Sequence, residues 1–152
     1  MEARAVARTP SGTTLWLSLF RTSEALQRVA VRSMRDAGLG FSDFAMLEAL
    51  LHLGSLTPSA LAEKTGLTSG SITAALDRLQ GRGFVARGTN PADQRSRIVE
   101  LTEVGRAVIE PAFAAHAADI EGLFGRALTA EQRRDLFELL AALRKTARED
   151  TP

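Results

Sequence analysis

Residues Gly83 to Gly105, GFVARGTNPADQRSRIVELTEVG, constrain the fold of this chain more than any other stretch. Two short runs of strand-forming residues, Phe84 to Arg87 and Ile98 to Leu101, flank a polar tip from Gly88 to Arg97. Gly, Asn and Pro set turns in that tip, so the segment reads as a β-hairpin, and Arg95 and Arg97 charge it. An amphipathic helical run, Thr68 to Gln80, ends just before it. A helix followed at once by a cationic hairpin suits duplex DNA. The helix fits the major groove, and the hairpin tip fits the minor groove or the phosphates.

Upstream, Leu56 to Val85 predicts two short helices meeting at Thr65-Gly66-Leu67-Thr68. The tight turn between them needs positive φ, which Gly66 supplies. Thr57 caps the first helix, with Pro58 at its opening position, where the missing N–H costs nothing. Thr68 caps the second and leaves free N–H groups at its start, a place that favours phosphate. Leu61, Leu67, Ile72, Leu76 and Leu79 form the shared core, and Ala62 is small where the helices cross. With those turned inward, Ser69, Gly70, Ser71, Thr73, Ala74 and Asp77 face outward. Such small groups allow close approach to a groove, with hydroxyls for base edges or phosphates. Arg78, one turn on, reaches phosphate or base. Taken alone, the pair also fits a plain helical hairpin whose Ser and Thr face water; the wing behind it favours DNA.

Within the wing, Arg95 is the leading minor-groove contact, because guanidinium is drawn to the negative potential of a narrow minor groove. Asp93, two residues earlier, can hold that guanidinium by paired hydrogen bonds. Arg87 and Arg97, at the strand ends, are phosphate contacts or partners of Asp93.

Helical spacing places the remaining elements. Met1 to Gly12 reads as a flexible basic arm closed by Pro10-Ser11-Gly12. A long amphipathic helix follows, about 13–37, ended by Gly38 and Gly40. Ser42 is read as the cap of a second helix that stops at Gly54. After the hairpin, Thr102 caps a long helix in which Pro111 should cause a bend or a break. Thr129 and Gln132 form a capping box that opens the last helix, which frays by Arg148. The expected fold is mainly α with a small β-hairpin wing. A winged helix-turn-helix over about 42–101 lies between long terminal helices, about 13–37 and 102–148. After the arm at 1–12, residues 13–152 form a single domain.

Charge supports the same region. The chain of 152 residues has a formal net charge of only +1. Lys64 to Arg97, however, holds six basic residues against Asp77 and Asp93. A basic patch on a mildly acidic body favours an anionic ligand there. There is no cysteine, so disulfides, thiolate metal sites and thiol switches are excluded. With two distant His residues as well, neither a metal site nor a cofactor is expected. No apolar run is long enough to span a membrane, and the N-terminus lacks the apolar core of a signal peptide, so a cytoplasmic location is expected. No nucleophile elbow, phosphate-cradling Gly loop or paired acid motif appears, so an enzyme is not expected.

Thr57 to Leu101, and above all RGFVARGTNPADQRSRIVELTEVG, resembles the MarR family of bacterial winged-helix regulators. That family's wing carries Asp-Pro-x-Asp-x-Arg and then Val-x-Leu-Thr-x-x-Gly. This chain has Asn90-Pro91-Ala92-Asp93-Gln94-Arg95, then Val99-Glu100-Leu101-Thr102-Glu103-Val104-Gly105. Asn90 replaces the usual acid and removes one charge from the tip. The resemblance implies a homodimer built from the first and last helices, two wing-bearing lobes and control by a ligand. The sequence agrees on the dimer: Leu15, Trp16, Leu19, Phe20 and Leu26 at one end, and Phe137, Leu140 and Leu143 at the other, are wide apolar faces with little chain to cover them. A two-fold dimer sets the recognition helices about 34–36 Å apart and calls for an inverted repeat. The resemblance also implies a small aromatic or phenolic effector, for which Trp16, Phe20, Phe44, Met46, Phe113 and His116 are the candidate lining, with Arg21 to pair an acid. The reading is therefore a ligand-responsive repressor that binds double-stranded DNA. The competing reading is a helical protein-interaction module that keeps the winged shape without binding DNA.

Overall fold

The structure is a computed structural model. It describes residues 9–150 except 91 and 92, and the side chains of 90 and 93–95 lie outside that description. Six helices and one hairpin follow in the order α1 (Gly12–Asp36), α2 (Phe41–Leu53), α3 (Pro58–Thr65), α4 (Ser69–Gly81), β1 (Val85–Asn90), β2 (Asp93–Leu101), α5 (Glu103–Ala127) and α6 (Ala130–Glu149). The mainly helical winged fold expected from sequence is the one observed.

Side-chain caps start most of the helices. Thr57, Thr68, Thr102 and Thr129 each accept a backbone N–H three residues on. Each satisfies one of the donors that a helix start leaves unpaired. Thr129 and Gln132 complete the capping box in both directions. Gly66, at φ 68°, ends α3 in the left-handed conformation that the tight turn requires.

The Ser11 hydroxyl accepts from Thr14 N at 3.2 Å and α1 starts at Gly12, at the end of the expected arm; residues 1–8 of that arm lie outside the described residues. Three local expectations change. Ser42 is no cap, because α2 opens at Phe41 with Gly40 as its N-cap, and the Ser42 hydroxyl is occupied by Arg78. The strands run further into the expected polar tip: Gly88 pairs Ile98 and Thr89 pairs Arg97 before the register shifts at Asn90. Arg97 Nη1 donates to Thr89 Oγ1 at 3.2 Å, a cross-strand contact that rewards the extra pairing. Finally, of the bend or break expected at Pro111, the break does not occur: α5 continues through it. Ile109 and Ala112, buried on either side, pack this part of the helix on the core and offset the lost backbone bond.

The core sits where α2, α3, α4, the hairpin base and α5 converge. Phe44, Met46, Leu47 and Leu50 of α2 meet Leu61, Ile72, Ala75, Leu76, Leu79, Val85, Val99 and Ile109. The C-terminal part of α1 joins through Met34. The rest of α1 and all of α6 contribute no buried residue before Ser33 or after Ala127.

Candidate nucleic-acid interface

Helix α4 divides cleanly into two faces. Ile72, Ala75, Leu76 and Leu79 are buried, while Ser69, Gly70, Ser71, Thr73, Ala74, Asp77 and Arg78 are exposed. This is the outward set expected from sequence. Beyond its chain neighbours and the backbone of its own helix, no heavy atom lies within 4 Å of a Cβ built at Gly70, and its φ is not positive. The fold therefore gives no reason for glycine there, although glycine costs helix stability. The bare backbone makes sense if something outside the protein approaches closely.

The wing is fixed to this helix at its base. The Thr102 hydroxyl donates to Gly83 O at 2.7 Å, with Phe84 O at 3.1 Å, and accepts from Gly105 N at 3.0 Å. Phe84 O also receives Thr102 N. Gly105 lies so close to this strand that an added Cβ would stand 2.0 Å from Phe84 O. The Leu-Thr-x-x-Gly run thus closes the strand-to-helix corner. A second anchor had no local signal in the sequence: Leu56, between α2 and α3, pairs with Val99 through bonds of 3.1 and 2.8 Å. Ser55 Oγ adds a bond to Glu100 Oε1 at 3.2 Å.

The basic residues of the patch have different fates. Arg78 Nη2 lies 2.7 Å from Asp43 Oδ1 and 3.2 Å from Ser42 Oγ. The hydrogen bond and charge of Asp43 push the Arg78 pKa above its ordinary value. Arg87 donates to Asp77, joining β1 to α4. Arg82 Nη1 bonds Gly38 O at 3.0 Å, and its guanidinium lies 4.3 Å from the Phe84 ring centre. Arg97 rests on Thr89. Asp93 and Arg95 lie on β2, but their side chains fall outside the described residues, so the expected buttress between them is not seen.

The residues named for an effector fall into two groups. Trp16 and Phe20 stack with ring centres 5.9 Å apart on the exposed first half of α1, next to Arg21. Phe44 and Met46 are buried, and Phe44 packs on His116 at 5.0 Å. His116 Nδ1 lies 3.3 Å from the Ser33 hydroxyl, and Phe113 meets His52 edge-on at 4.6 Å. Within one chain this second group is core packing between α1, α2 and α5.

Comparison with known proteins agrees with this geometry. A family model described as MarR family matches residues 37–96. The HTH-type transcriptional regulator MhqR of Bacillus subtilis is 31% identical over 107 residues, 70% of this chain and 74% of that protein. In fold, the chain is similar to a MarR family transcriptional regulator from Streptomyces coelicolor solved in complex with DNA. The TM-score is 0.80 at 24% identity, over 91% of this chain and 94% of that one. It is also similar to a mutant MarR from E. coli complexed with operator DNA, with TM-score 0.73 and 25% identity over 88% of this chain and 99% of that one. A capped helix-turn-helix with a hairpin wing at its shoulder, in a chain this similar to MhqR, places the protein in the MarR family of transcriptional regulators.

Proposed function

We propose that the chain works in the cytoplasm as a homodimer that binds an inverted repeat in duplex DNA and represses transcription. The observation that carries this reading is the exposed face of α4, small throughout its first two turns. Ser69, Gly70, Ser71, Thr73 and Ala74 let the helix backbone come close to base edges. The Thr68-capped start directs N–H groups at a phosphate. Arg95 enters the minor groove with Asp93 behind it, and Arg97 meets the backbone. Pairing is supported by the bare terminal helices: Trp16 is 62% exposed and Phe137 70%, more apolar surface than a monomer ordinarily leaves in water. A dimer seated across a promoter blocks polymerase by its bulk. The Trp16–Phe20 stack beside Arg21 suits a small aromatic or phenolic acid, which would release the DNA by favouring another spacing of the lobes.

Arg95→Ala tests the contact set. In gel shifts on a duplex carrying the inverted repeat nearest the chain's own coding region, affinity should fall about tenfold or more. The log–log salt slope should flatten by about 0.9 for the lost phosphate-side charge. Unchanged affinity at matched salt would remove Arg95 from the interface.

A further inference from the structure

Two consecutive residues of α4 are tied in different directions. Asp77 accepts from Arg87 on β1. Arg78 donates to Asp43 and Ser42 at the start of α2. Successive side chains on a helix point about 100° apart, so the two ties pull on α4 from different sides. One tie joins the helix to the wing and the other joins it to the core.

The partners differ in burial. The Asp43 side chain is 8% exposed, and it sits in the first turn of α2, where the helix dipole favours a negative charge. Among the described residues, Arg78 is the cation that pairs with that carboxylate. Turning Arg78 toward a phosphate would strip a nearly buried charge of its partner, and the exchange gains little because one anion replaces another. Asp77 is exposed on the face turned outward. Facing DNA alone, it would repel phosphate; paired with Arg87 it does not.

We propose that the Asp77–Arg78 pair is a yoke that sets the rotation of the recognition helix between α2 and the wing, and that Arg78 and Arg87 are positioning residues rather than phosphate contacts. This deepens the DNA-binding reading and rests on it. The cationic stretch seen in the sequence is then partly internal wiring. Arg78 and Arg87 serve carboxylates, and Arg82 serves a carbonyl and an aromatic ring. Fewer counterions leave the DNA than a count of basic residues suggests, so the salt dependence of binding is shallow.

Asp77→Asn separates the two possibilities by sign. Removing an exposed anion from a DNA-facing helix should tighten binding if Arg87 is a phosphate contact that Asp77 restrains. The yoke predicts weaker binding instead, by about threefold to fivefold, the span an exposed ion pair can carry. The probe is the duplex that the wild-type chain enriches from random 30-mers, titrated across a salt series. Arg87→Ala should lower affinity with an unchanged salt slope. The exchange Asp77→Arg with Arg87→Asp should restore much of the loss, which simple charge removal would not. Both positions are partly or largely exposed, and thermal melts confirm that the variants fold. Tighter binding by Asp77→Asn, or a slope flattened by about 0.9 in Arg87→Ala, overturns the yoke and leaves the DNA-binding reading standing. Failure of the wild-type chain to enrich any duplex overturns both.

Discussion

The winged lobe and the terminal helices follow opposite rules. In the lobe, each element buries apolar residues: Leu47, Leu61, Leu79, Val99 and Ile109 are fully buried within one chain. Polar groups there also have assigned partners, from the Thr102 corner to the Leu56–Val99 bridge. In α6 no residue is buried, and Leu139, Leu140 and Leu143 stand in the open. The first half of α1 is the same. Both helices are well capped and regular, so the difference is not one of local quality. A helix can be fully specified by its own sequence and still lack the surface that makes it worth forming. The lobe carries that surface itself; within one chain the terminal helices do not.

This contrast can be broken in the lobe with the largest effect. Gly105→Ala should destabilise the fold by about 3 kcal/mol or more, since a Cβ 2.0 Å from Phe84 O forces the strand-to-helix corner apart. Thermal unfolding measures it. A melt equal to wild type would mean that the corner is not the rigid joint described. A smaller and different effect is expected in the terminal helices. Leu140→Glu with Leu143→Glu should leave the melt of the lobe nearly unchanged yet weaken self-association by about 2 kcal/mol, roughly thirtyfold in dimer dissociation. Sedimentation over a concentration series reads this, and an unaltered dimer would show that α6 does not pair. The smallest shift belongs to the recognition helix. Gly70→Ala should raise stability by about 0.5–1 kcal/mol, because the position is helical and open. The same variant should bind duplex DNA less tightly. A stabilised variant with full affinity would mean that nothing comes close to Gly70.

Much of this was legible from short-range pattern. The four threonine caps, Gly66 at the turn, the two faces of α4 and the strand-turn-strand of the wing depend on residues within one or two turns of each other. Their chemistry is visible in a window of a few letters. Reading failed where a local cue met a competing neighbour. Ser42 resembled a cap, but Gly40 took the extended position and Arg78 took the hydroxyl. Pro111 resembled a break, but core packing on both flanks kept α5 whole. The polar tip of the wing resembled loop, but cross-strand pairs carried the strands through Thr89 and Arg97.

Sequence by itself determined the order of the elements, the four threonine caps, the outward face of the recognition helix and the excess of positive charge around it, because periodicity and turn chemistry act over a few residues. Only the tertiary structure decided which of the described arginines meet a carboxylate or carbonyl of their own fold. Asp43 and Arg78 are 35 residues apart, and Leu56 and Val99 meet across α3, α4 and the first strand. Such meetings depend on how helices cross in space, and a carboxylate that arrives there converts a surface cation into part of the frame.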